Sequence, residues 1–161
     1  EICFVPENDY RAFLRHRVPD IDERIGPGNF ILADGTVVGK HQGYPYYTIG
    51  QRKGLGVALG RPVFVIEIRP ETNTVVLGDE HELQRHTAYV RNINLMKYPA
   101  ITEPLEAVTK IRYKDAGMNS TIVQEGDRVK VVFHHAVKGI APGQSAVFYE
   151  GDDLLGGGFL M

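Results

Sequence analysis

The chain has 161 residues and a mass of 18.0 kDa, with 43% hydrophobic and 24% charged residues, globular values that exclude wholesale disorder. A single cysteine, Cys3, excludes an intrachain disulfide and the disulfide-stapled secreted scaffolds. The net charge of −2 and pI near 6.3 supply no bulk pull toward a polyanion, so nucleic-acid binding would need a local patch; no apolar run reaches the roughly 20 residues of a membrane-spanning helix.

The opening segment, EICFVPENDYR, lacks the basic start and apolar stretch of a secretory leader. It begins without Met and inside an element, so the chain is expected to be a piece of something longer. Asn8 is a candidate N-cap, Asp9 puts negative charge in a first helical turn, and Tyr10, Phe13 and Leu14 recur at helical spacing. Pro19 predicts a stop by about Val18. Gly26, Pro27 and Gly28 mark a turn or linker. Phe30–Leu32 and Thr36–Val38 then flank Asp34-Gly35, a tight-turn pair that predicts a hairpin. The Gly-rich, aromatic and basic stretch from Gly39 to Gly60 reads as loop with a short helical turn. A second hairpin is predicted from Val63–Ile68 and Val75–Leu77 across Glu71–Asn73.

From Ala88 onward the pattern is almost purely strand: Tyr89–Leu95, Leu105–Tyr113, Ser120–Val123, Arg128–Phe133, Ala146–Tyr149 and Leu154–Leu160. Short strands at even spacing, separated by glycine-marked turns, predict a small antiparallel barrel. The fold class is thus mainly β. Residues 1–22 are expected to be a helical remnant, 23–85 a small β-rich domain and 87–161 the barrel.

Chemistry is sparse. Gly54-Leu55-Gly56 with Gly60 misses the dinucleotide spacing and follows no strand, and no GxxxxGK[ST] phosphate loop occurs. Six histidines form no HExxH pair, and adjacent His134 and His135 point to opposite faces of a strand, so no metal site is expected. Two basic–aromatic clusters stand out. Lys40, His41, Tyr44, Tyr46, Tyr47, Gln51, Arg52 and Lys53 combine cations with rings that suit a phosphate backbone and exposed bases, or form an ordinary surface loop. Lys110, Arg112, Tyr113 and Lys114 close a strand. Alternation puts the three cations on the solvent face and Tyr113 on the apolar face with Leu105, Ala107, Thr109 and Ile111; solubilising charge explains such a stripe equally well. Cys3 precedes a helix start, where the dipole favours thiolate, although a lone cysteine is also a common small buried hydrophobe.

Taken in order, Ile2-Cys3-Phe4, Gly39-Lys40-His41-Gln42-Gly43, YTIGQRKGL over 47–55, Lys110-Ile111-Arg112-Tyr113, PGQSAVFY over 142–149 and Gly156-Gly157-Gly158 closely resemble the C-terminal half of the tRNA-specific 2-thiouridylase family, whose older label is a tRNA methyltransferase. The resemblance covers essentially the whole chain. It implies a missing N-terminal ATP-pyrophosphatase domain with an SGGVDSS-type loop and a first catalytic cysteine. It also implies a central β-rich domain and a C-terminal barrel similar to the second domain of elongation factor Tu. The activity it implies is adenylation of the wobble uridine 2-oxygen in tRNA, then sulfur delivery from a cysteine persulfide. Cys3 matches the persulfide cysteine. Arg112, Tyr113 and Gln144 match tRNA contacts, and Arg52 and Lys53 are added from the YTIGQRKGL block.

ATP with magnesium would serve the longer protein and none would bind this piece, which alone would be inactive. The implied partners are tRNA and a sulfur-donor protein, either a persulfide carrier or a cysteine desulfurase. No membrane partner is implied, and the implied setting is cytoplasmic. Pro142-Gly143 suits a type II turn with Gln144 projecting just beyond it. The alternative reading is a non-catalytic RNA-binding barrel of translation-factor type, which would need no reactive Cys3.

Overall fold

The computed structural model describes residues 9–113 and 115–161. The chain divides into two compact units, one reaching to Glu82 and one spanning Leu83–Met161. Among the described residues, no helix is long and apolar enough to cross a membrane.

In the first unit, helix α1 (Tyr10–Arg17) is capped by Asp9, whose carboxylate accepts the Ala12 N–H at 3.0 Å. Asp9 thus fills the capping role expected of Asn8, which lies outside the described residues. The helix ends at Val18, which the following Pro19 keeps out of helical geometry (φ −133°, ψ 83°). A second short helix, α2 (Ile21–Ile25), which the sequence reading does not assign, follows; Arg15 Nε donates to Asp22 Oδ2 at 2.8 Å and ties the two together.

The two predicted hairpins are present. Strands β1 (Gly28–Leu32) and β2 (Val37–His41) meet across Asp34-Gly35, with Asp34 Oδ1 accepting the Thr36 N–H at 2.9 Å. Strands β3 (Phe64–Arg69) and β4 (Thr74–Gly78) meet across a 3₁₀ turn that ends on left-handed Asn73. The hairpins lie side by side through a parallel β1–β4 pair, giving the order β2-β1-β4-β3. Phe30, Val65, Val75 and Leu77 are fully sealed beneath this sheet, each contributing about 1.5–3 kcal/mol by leaving water. Leu14, Val18 and Ile21 of the helical segment join the same core.

The second unit is a closed barrel of six strands in the order β10-β5-β8-β7-β6-β9, all pairs antiparallel. The strands are β5 (Gln84–Leu95), β6 (Leu105–Lys110), β7 (Met118–Glu125), β8 (Arg128–Lys138), β9 (Ser145–Glu150) and β10 (Asp153–Leu160). Val90, Ile122, Val129, Val131, Phe148 and Leu160 fill its interior. One polar pair lies within it: Thr109 Oγ1 and Ser120 Oγ are 2.7 Å apart, and Ser120 donates to the Ala107 carbonyl at 3.1 Å, so neither hydroxyl is orphaned.

One strand end differs from the alternation pattern. β6 stops at Lys110 instead of running to Tyr113, because the Ile111 N–H donates to Asp115 Oδ2 at 3.0 Å and leaves the ladder. Tyr113 therefore does not lie on the apolar face; it is 90% exposed.

Candidate functional site

The barrel cluster predicted from sequence forms a groove of about 530 Å³, lined in part by Lys110, Arg112, Tyr113, Gln144 and Tyr149. Three elements place these side chains. The end of β6 carries Lys110, whose Nζ lies 5.1 Å from the Tyr149 ring centroid on neighbouring β9. The turn after β6 carries Arg112 and Tyr113, both exposed. This turn is shaped by Asp115, whose two oxygens accept the N–H groups of Ile111 and Gly117 (3.0 and 3.2 Å), so its charge is partly spent on backbone. Gly117, with φ +91°, completes the reversal.

The third element is the Pro142-Gly143 turn. The Gln144 N–H donates to the Ala141 carbonyl at 3.2 Å and Gly143 has φ +86°, as a type II turn requires. Two further bonds fix the turn to the last strand: Gly143 N–H to Leu160 O (2.9 Å) and Leu160 N–H to Gln144 O (2.8 Å). The exposed Gln144 side chain is thus presented to the groove from a rigid mount. Two cations, two phenol rings and an amide that both donates and accepts suit a phosphate–sugar backbone better than an apolar ligand.

The sequence alone missed Asp115 as the organiser of this groove. Its signal, Asp-Ala-Gly just before a strand, is an Asx-turn pattern.

The other cluster is built differently. Arg52 and Lys53 are exposed on a loop that Gln51 locks by accepting the Thr48 N–H (3.1 Å) and donating to the Lys53 carbonyl (2.9 Å). Gly50 N–H and Gln51 O pair with Val65 of β3, and buried Leu55 anchors the far side. Tyr46 and Tyr47, however, are not available for stacking on bases: they are 1% and 7% exposed and belong to the core. Tyr46 donates to Asp22 Oδ1 at 2.6 Å while Arg15 and Arg11 cover its ring, at 5.3 and 5.9 Å. The Tyr46 hydroxyl and Arg15 hold the Asp22 carboxyl below its ordinary range, and burial pushes the Tyr46 phenol up.

His41 is also interior, 3% exposed and packed edge-on against Phe30. Its Nδ1 accepts the Gly43 N–H at 3.0 Å, which places the ring proton on Nε2, an atom that lacks a well-formed hydrogen bond among the described residues. Burial lowers its pKa, and the backbone of Asn29 and Asn73 offsets this only in part. Cys3 and Lys114 lie outside the described residues.

Comparison with known proteins follows the same division. Residues 11–79 match the tRNA methyl transferase PRC-barrel domain, and residues 85–160 match the aminomethyltransferase beta-barrel domain. The chain is similar to the tRNA-specific 2-thiouridylase MnmA of Cytophaga hutchinsonii, 56% identical over 99% of this chain and 44% of that protein. It is similar to those of Carboxydothermus hydrogenoformans (52%, over 98% and 43%) and Salinibacter ruber (49%, over 99% and 42%). The chain spans less than half the length of these curated relatives.

Proposed function

Because the chain belongs to the tRNA-specific 2-thiouridylase family, matching its central and C-terminal domains, we propose that it is the RNA-holding part of a sulfurtransferase that 2-thiolates the wobble uridine of tRNA. The observation that carries this reading is the barrel groove, where Lys110, Arg112, Tyr113 and Gln144 converge from separate elements. A base whose 2-oxygen must be activated has to leave its stack, so the rest of the RNA must be held by backbone contacts. Charge-assisted bonds from Arg112 and Lys110 to phosphate, with Gln144 on ribose or phosphate, supply that hold. Arg52 and Lys53, exposed on their braced loop, give the first unit phosphate contacts of its own.

The chemistry is divided. ATP with magnesium activates the uridine in the part of the longer protein outside this chain, so this piece alone does not turn over. Cys3 receives sulfur as a persulfide from a donor protein and passes it to the activated base, and the reaction takes place in the cytoplasm.

A tRNA titration at two salt concentrations tests the groove. Arg112→Ala should weaken binding by about 1–3 kcal/mol and reduce the salt slope by about 1, with an unchanged melting temperature. Equal affinities for the two proteins would remove the groove from the interface. In the full-length protein, Cys3→Ser should abolish 2-thiolation while adenylation of the tRNA continues; thiolation at a near-normal rate would exclude Cys3 as the sulfur carrier.

A further inference from the structure

Beside the basic groove, and sharing Ser145 and Val147 with it, the barrel carries a second hollow of about 300 Å³. Strand register explains its make-up. Across β5, β10 and β9, Arg91, Phe159 and Ser145 stand in one row, all exposed. In the neighbouring row Asn94, Gly157 and Val147 lead directly to Lys110 of the basic groove. Gly157, in the middle of that row, lets the β10 and β9 backbones approach closely: a Cβ there would lie 2.4 Å from the Ala146 carbonyl oxygen.

Phe159 is 46% exposed, so its side chain is open to solvent at the rim of the hollow. Next to it, β5 carries an extra residue: Asn92 and Ile93 together face the single Gly158, and Asn92 sits at φ +52°. A left-handed non-glycine residue inside a strand is a costly conformation, and such bulges re-aim side chains. Here it belongs to Asn92, which lines the hollow together with Asn94.

We propose that this hollow is a nucleotide subsite, in which an unpaired RNA base stacks on Phe159 while the amides of Asn92 and Asn94 meet its edge. The inference rests on the reading of the adjacent groove as an RNA-backbone site. An exposed aromatic face, two amides able to donate and accept, and cations at Arg91 and Lys110 on either side are what a single-stranded nucleotide needs. A duplex offers no free base, so the hollow adds affinity only for unpaired RNA.

The test compares a short RNA stem-loop, having unpaired loop bases, with a blunt RNA duplex of equal charge. Phe159→Leu should weaken stem-loop binding about fivefold to 150-fold and leave duplex binding unchanged. Phe159→Tyr, which keeps the ring, should bind as the wild type does. Asn92→Gly, which tolerates the same backbone conformation, should weaken the stem-loop selectively. Unchanged stem-loop affinity in Phe159→Leu, equal loss for both RNAs, or loss in Phe159→Tyr would each overturn the subsite. An unchanged Asn92→Gly would remove the base-edge contact. Arg112→Ala separates the two readings: weakening of both RNAs supports the backbone groove whatever Phe159 does, and failure of the wild type to bind either RNA overturns groove and subsite together.

Discussion

Asp115 and Ile111 are joined by a 3.0 Å bond from the Ile111 N–H to Asp115 Oδ2, and that bond ends β6. It is the reason Arg112 and Tyr113 stand in a turn at the groove and not in the sheet. Asp115→Ala should destabilise the chain by about 1–2 kcal/mol, the scale of a lost side-chain cap, and should also reduce RNA affinity. Paired urea melts and RNA titrations check both. Stability lost with affinity intact would mean that the turn holds its shape without the carboxylate.

Gly143 is the second mount of the groove. An alanine at φ +86° is disfavoured by roughly 1–2 kcal/mol, and relief of that strain would tilt Gln144 away. Gly143→Ala should therefore lower both the melting temperature and RNA affinity, whereas Gln144→Ala should lower affinity alone. Identical stability profiles for the two variants would contradict this division.

Gly28 has no room for a side chain: a Cβ there would lie 2.0 Å from the Asn73 carbonyl and 2.4 Å from the His41 ring. Gly28→Ala should cost about 3 kcal/mol, near the upper end for overpacking. A melting temperature close to wild type would show that the β1–β4 region yields more easily than its packing indicates.

His41 makes the first unit acid-sensitive. Its folded pKa lies below the 6.5 of a free imidazole, chiefly through burial. Above pH 6.5 the ring is neutral in both states and stability is complete. As the pH falls below 6.5 the unfolded chain takes up a proton that the folded chain resists, so stability declines until the folded pKa is reached. Urea melts stepped downward from neutral pH should show this loss, and His41→Gln should flatten it. An equally steep decline in His41→Gln would assign the effect to other groups.

Much of the architecture was legible because it is written in local chemistry. Asp34-Gly35 marks one hairpin, Glu71–Asn73 another, and Pro19 a helix stop, each requiring only a few adjacent residues. The barrel was legible as a series of short strands. What local pattern does not carry is partnership over distance. The parallel β1–β4 pair is invisible in either hairpin. The interior placement of Tyr46 depends on Asp22 and Arg15, and that of Tyr47 on Phe30, none adjacent in sequence. Tyr113 leaves the strand alternation because the Ile111 N–H donates to Asp115 Oδ2, a side-chain bond across four residues that strand periodicity does not register. Arg112 and Gln144 were recognisable by family motif, but their meeting in one groove comes from the closure of β6 and β9.

Barrel closure also sets an order of events. The first and last strands of the barrel are partners, with Leu160 opposite Val90. A ribosome releases β5 long before β10, so the growing chain holds an unfinished sheet with open rims until its last strand emerges. Closure of this unit therefore waits for β10, and a premature stop ahead of Gly156 would leave β5 and β9 with unpaired backbone, turning a rimless surface into two templates for aggregation.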